Sequence, residues 1–149
     1  MASLRRLFVI LLLGSLPVTL FAQASKPRET PEKQVATLNR QGMAALKRGD
    51  LASARVIFEK VVRLSPRSPE GHNSLGWVLL SQNQPDAAIS HFRRALELRP
   101  DFAQAHTYLA NALAQKGDIE AALSESREAV RLAPRDAEAH RTLGRLRSA

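Results

Sequence analysis

The sequence predicts an all-α protein, an α-solenoid of antiparallel helix pairs. Three observations predict it. Five columns of residues recur every 34 positions: Pro66, Pro100 and Pro134; Gly49, Asn83 and Gly117; Ala54, Ala88 and Ala122; Leu64, Leu98 and Leu132; and Gly42, Gly76, Ala110 and Gly144. Each period holds two apolar stripes at helical spacing, parted by a turn residue. The chain has 149 residues, no Cys and only 5% aromatics, so its core must rest on Leu, Ala and Val. The missing Cys also excludes a disulfide scaffold, a thiol nucleophile and any thiolate-ligated metal. One helix pair cannot bury its apolar faces alone, so about three stacked copies are needed.

The N-terminus comes first. Residues 1–24 read as a secretory signal peptide: Arg5 and Arg6, then the dense apolar run Leu7 to Leu13, then Gly14, Pro17 and Thr19. Ala22-Gln23-Ala24 offers small residues where a signal peptidase reads, so the expected cut precedes Ser25. The expected location is therefore exported, periplasmic or secreted. The alternative is a membrane anchor formed by residues 7–22. A span needs about 20 mostly apolar residues, and Ser15, Pro17 and Thr19 dilute this stretch. The arginine pair also raises twin-arginine export, a pattern its neighbours match poorly. Cleavage removes two arginines and lowers the formal charge from +8 to +6. Residues 25–34 (SKPRETPEKQ) are charged and hold Pro27 and Pro31, and are expected to be a disordered leader.

Three full units are expected at 35–68, 69–102 and 103–136, with a partial unit at 137–149. In the third, Ala105, His106, Leu109, Ala110 and Leu113 share one helical face. Gly117 supplies a left-handed turn, and Asp118 caps the next helix, whose first turn also holds Glu120. Ile119, Ala122, Leu123, Ala129, Val130 and Leu132 form its apolar stripe before Pro134 ends it. The middle unit repeats the design with Asn83 in the turn and Pro85 at the first helical position, where proline is tolerated. The first does so with Gly49, Asp50 and Phe58. The last half-unit gives one helix rich in Arg141, Arg145 and Arg147, fit to cover the previous repeat and face water.

With those columns in place, the sequence resembles the tetratricopeptide repeat from Val35 to about Leu146. The middle unit carries the motif best, with Leu75-Gly76, Leu79, Ala88, Phe92, Ala95 and Pro100. The first departs at Gln41 and Val61, and the third has Ser126 in the aromatic column. Loss of a buried ring forgoes roughly 3–5 kcal/mol by analogy with Phe→Ala. The third unit and the terminal helix are therefore expected to be the loosest. The resemblance implies three repeats plus a C-terminal capping helix, and a concave groove lined by the first helix of each pair.

It also implies which positions face a ligand: Asn39, Asn73, Thr107 and Arg141 in one column, Met43, Trp77, Asn111 and Arg145 in the next, and Leu46 and Leu80 in a third. Such a groove is apolar at its N-terminal end and cationic at its C-terminal end. It suits a protein or peptide segment, with Trp77 and Met43 taking apolar side chains, amides bonding its backbone, and Arg141 and Arg145 holding an acidic end. Some family members hold acidic chaperone tails with a Lys/Asn/Arg clamp. Its columns here carry Asn39, Met43, Ser74, Gln104 and Tyr108, without the Lys and Arg, so that ligand does not carry over.

No motif points to catalysis. The sequence has no G-x-S-x-G, no phosphate loop and no H-E-x-x-H, so an enzyme, a cofactor and a small-molecule substrate are not expected. His72, His106 and His140 lie 34 apart in one column, which places them in successive repeats as packing residues, not as ligands of one metal. His91 stands alone on a second helix and is expected at the surface. The leading expectation is an exported scaffold or adaptor that serves in assembly of an envelope or secretion complex. The alternative is binding to nucleic acid or an anionic surface, motivated by the +6 charge of the mature chain.

Overall fold

A computed structural model describes residues 29–148; the expected signal peptide and residues 25–28 of the expected leader lie outside them. Among the described residues there are seven helices and no strand. They are α1 (Pro31–Lys47), α2 (Leu51–Leu64), α3 (Pro69–Ser81), α4 (Pro85–Leu98), α5 (Ala103–Gln115), α6 (Ile119–Leu132) and α7 (Ala137–Arg147). The all-α solenoid expected from the period is what the chain forms.

Five of the seven helices start on a side-chain cap, and α4 and α5 do not. Asp50 and Asp118 accept from the backbone N–H groups of Ser53 and Ala121 at 3.0 and 3.2 Å, and Ser68 accepts from Gly71 at 3.0 Å. Asp136 accepts from Glu138 at 2.8 Å. The first start differs from the sequence reading. Residues 31–34, assigned there to a disordered leader, form the first turn of α1. Thr30 accepts from Lys33 N–H at 3.4 Å, and Pro31 occupies the first helical position, where no N–H is needed.

The turn within each pair uses a left-handed residue, at φ 73° for Gly49, 59° for Asn83 and 85° for Gly117. The next N–H then reaches back five residues: Asp50 to Ala45 O, Gln84 to Leu79 O and Asp118 to Leu113 O, at 2.9 to 3.0 Å. Helices α1–α2, α3–α4 and α5–α6 pack as pairs, and successive pairs join through α2–α3, α4–α5 and α6–α7. The odd helices also touch one another, α3 on α5 and α5 on α7, whereas the even ones are held apart. The odd helices thus line the inner, concave side.

Inside each pair a ring packs onto a glycine. A methyl group at Gly42 would lie 2.6 Å from Phe58 Cζ, and one at Gly76 would lie 2.7 Å from Phe92 Cε1. Both rings are fully buried. In the third pair the same columns hold Ala110 and Ser126, both fully buried, and the Ser126 hydroxyl donates to Leu123 O at 3.0 Å. The alanine methyl takes up part of the space the ring fills elsewhere.

Candidate functional site

A cleft of about 350 Å³ opens on the inner side, lined by Met43, Leu46 and Lys47 of α1, Asn73, Ser74 and Trp77 of α3, and Gln104 and Tyr108 of α5. The helical repeat places these side chains together. Asn39, Met43 and Lys47 follow one another at a step of four along α1. Met43 is 50% exposed, while Leu46 and Trp77 lean on the core. Lys47 is the one charged side chain in the lining.

The polar part of the cleft is a chain of three groups. Asn73 donates through Nδ2 to Gln104 Oε1 at 3.2 Å, and Gln104 donates through Nε2 to the Tyr108 hydroxyl at 3.2 Å. Asn73 is only 5% exposed, and its Oδ1 is buried with no hydrogen-bond partner. Burial, then the charge of Glu138, pushes the Tyr108 hydroxyl up from its ordinary value.

The residues expected in the groove fall in several places. Met43, Leu46, Asn73 and Trp77 meet in the cleft. Leu80 is half-buried against the core and does not line it. Asn39 belongs to a separate depression near the N-terminal edge, with Pro31, Val35 and Leu64. Thr107 is buried away from the cleft surface, and its hydroxyl donates its proton to Ala103 O at 3.2 Å in its own helix. Arg145 and Asn111 are brought together, Nη2 to Oδ1 at 2.5 Å, with the Thr142 hydroxyl also donating to Asn111 at 3.4 Å. Arg141 is exposed on α7.

Sequence reasoning missed Lys47 and gave Ser74, Gln104 and Tyr108 only as clamp columns lacking their cations. The step of four from Asn39 through Met43 was the available signal for Lys47.

The histidines form a second repeated arrangement. Nε2 donates to a proline carbonyl in all three units: His72 to Pro66 at 3.0 Å, His106 to Pro100 at 2.9 Å and His140 to Pro134 at 2.9 Å. A carbonyl only accepts, so Nε2 carries the proton in each of these bonds. His91, expected at the surface, is half-buried: its ring stacks on His72, with the two Nδ1 atoms 3.1 Å apart. The cause is a column not compared in the sequence, His91 and Glu125, which faces His72 and His106 across the second and third pairs. Burial, then the neighbouring His72, holds His91 below its ordinary value. At the equivalent place His106 Nδ1 meets Glu125 Oε2 at 2.6 Å. Burial pulls His106 down, but the hydrogen bonds to Glu125 and Pro100 outweigh it and raise it. Among the described residues no group of three or more His, Asp or Glu is placed to hold a metal ion, and no helix is long and apolar enough to cross a membrane.

Serial helix pairs with a cleft on their inner side define a helical-repeat protein. More narrowly, the chain belongs to the tetratricopeptide repeat family, whose profile matches residues 39–101 and 73–137. No curated protein sequence matches it. Among solved structures it is similar to the first TPR of Spaghetti (RPAP3) bound to the HSP90 peptide SRMEEVD: 18% identity, TM-score 0.74, over 78% of this chain and 92% of that one. It is also similar to the second TPR domain of human RPAP3 in complex with the HSP70 peptide SGPTIEEVD: 15% identity, TM-score 0.73, over 78% and 98%. A Thermobaculum terrenum O-GlcNAc transferase matches at 24% identity and TM-score 0.77, over 78% of this chain but 22% of that one. At these identities the likeness establishes the fold.

Proposed function

We propose that this chain is an exported scaffold that binds a segment of another protein in the cleft between α1, α3 and α5. The observation that carries the reading is the cleft itself. An exposed Met43 and a half-buried Trp77 flank hydrogen-bonding side chains from two helices, the mixture that a polypeptide requires. Two structures of the same fold hold peptides, which supports a peptide occupant here. Both of those peptides end in EEVD, and Lys47 is the group here that would face such an end. Export is supported by Arg5 and Arg6, the run Leu7 to Leu13 and Ala22-Gln23-Ala24, and assembly of an envelope or secretion complex is the setting it suggests.

The test is a photo-crosslinking residue placed at Met43 or, as a control, at Lys60, which is exposed on α2. Partner adducts form through position 43 and not through position 60. Equal adducts from both, or adducts through 60 alone, refute the groove.

The basic-surface alternative is weaker on this structure. Cations on the even helices are interleaved with acids, with Arg55–Glu59 at 2.8 Å, Arg94–Glu97 at 2.7 Å and Arg131–Glu128 at 2.5 Å.

A further inference from the structure

We infer that the second and third helix pairs answer acid in opposite senses: protons loosen α3–α4 at the His72–His91 contact and tighten α5–α6 at the His106–Glu125 contact.

Two fully protonated imidazoles carry four N–H groups. His72 Nε2 already holds one, donated to Pro66 O. The Nδ1 atoms of His72 and His91 lie 3.1 Å apart, a hydrogen-bond distance with room for one hydrogen between them. A second hydrogen there would set two donors against each other with no acceptor. The packed pair therefore holds at most three N–H groups, the last on His91 Nε2. His72 is 7% exposed and is met at both ring nitrogens, so it cannot turn away. His91 relieves the contact only by leaving the stack between the two rings.

The charges around the pair do not offset this. Glu59 of α2 shares a depression with His91, but it already accepts from Arg55 at 2.8 Å. Arg63, also of α2, lines the same depression and adds positive charge. Burial and the neighbouring His72 outweigh Glu59 and hold His91 low.

His106 sits in the column of His72 with the reverse outcome. Its Nε2 meets Pro100 O at 2.9 Å and its Nδ1 meets Glu125 Oε2 at 2.6 Å. Both partners accept, so the imidazolium is the form that satisfies both. Glu128 of α6 adds to the negative field. Arg127 and Arg131 line the same depression, and Arg131 is taken up by Glu128 at 2.8 Å. The first unit has Leu38 and Ile57 at these two positions and nothing there to titrate.

In the unfolded chain both rings of the His72–His91 pair take a proton near pH 6.5. The packed pair takes one fewer, so below about pH 6.5 its opening equilibrium rises about tenfold per pH unit. His106 holds its proton more readily folded than unfolded, so acid favours the closed third pair. Asn73, Ser74 and Trp77 follow His72 on α3 and line the inner cleft, so acid acts on that wall while α5 is held.

Hydrogen exchange of the full chain, read by mass spectrometry over residues 69–98 and 103–132 at pH 7.5 and 5.5 and corrected for intrinsic rates, tests this. Residues 69–98 open about tenfold more at pH 5.5, and residues 103–132 open less. His91→Gln removes the first response, because a carboxamide meets His72 Nδ1 as donor or acceptor and does not titrate. His91→Glu copies the third pair and reverses the response. The contrast between the two segments in the unaltered chain is read without any variant. Equal opening of both segments in acid, or no change in residues 69–98, overturns the inference. So does a response that survives His91→Gln, or one whose sign His91→Glu leaves as it was.

Discussion

Replacing Gly76 by Ala tests the ring-on-glycine packing that holds each helix pair together. The new methyl would lie 2.7 Å from Phe92 Cε1 and 2.9 Å from Cδ1. Favourable carbon–carbon contact is about 3.5–4.0 Å, so the overlap approaches 1 Å. Phe92 is fully buried and cannot swing into solvent. Overpacking of this kind costs about 1–3 kcal/mol, and a ring with no exit puts it in the upper half of that range. Against this, Ala is favoured over Gly inside a helix by about 1 kcal/mol. The net is a destabilisation of about 1–2 kcal/mol. In a Phe92→Ala background, itself costing about 3–5 kcal/mol, the clash is gone and only the helical preference remains. There Gly76→Ala stabilises by about 0.5–1 kcal/mol, a reversal of sign. The third unit already carries the small partner, so Ala110→Gly should destabilise by about 1 kcal/mol with nothing to relieve. Urea denaturation followed by helical circular dichroism measures all four variants. If Gly76→Ala destabilises equally in both backgrounds, the clash with Phe92 is not the cause and the packing argument is wrong.

Trp77→Ala should weaken partner binding by about 2 kcal/mol with the fold intact by circular dichroism, and unchanged affinity by calorimetry would count against the groove. His106 should titrate above 6.5 and His91 below it in an NMR titration of the ring protons. The consequences for stability are opposite. The His106–Glu125 contribution is full below pH 6.5 and is lost as pH rises through the raised folded value. That of His91 is present above 6.5 and is lost as pH falls through its lowered one. Glu125→Gln should abolish the first effect alone, and a His106 midpoint unmoved by that change would contradict the assignment. Hydrogen exchange should be fastest in α6 and α7, where Ser126 stands in the aromatic column; slowest exchange there would reverse the reading. The mature protein should begin at Ser25 on N-terminal sequencing, and a chain that keeps Met1 would defeat the export proposal.

The sequence made the fold legible because its period is carried by residues with strict local roles. Gly49 and Gly117 announce a left-handed turn, and Asp50 and Asp118 a cap, whatever surrounds them. The same rule reads Pro85 correctly, but Pro31 falls in the stretch read as a disordered leader although Thr30 precedes it as a cap. The site was legible only in part. Met43, Leu46, Asn73 and Trp77 share ligand-facing columns and do meet. Thr107 shares such a column too, but a short hydroxyl finds its own helix's carbonyl first. Arg145 was read as free to bind a carboxylate, yet a long side chain reaches across to Asn111 on the next odd helix. His91 escaped because its partner lies on a different helix, in a column that becomes meaningful only once the pair is folded.

The histidine-to-proline bonds have a consequence for how long the array can be. Each ties the start of one hairpin to the connector that closes the hairpin before it, at nearly constant length from 2.9 to 3.0 Å. The pitch from hairpin to hairpin is thus written into the joints and does not depend on the ends. A duplicate of residues 69–102 spliced in after Phe102 would bring its own joint with it, and should extend the trough by one step at unchanged curvature.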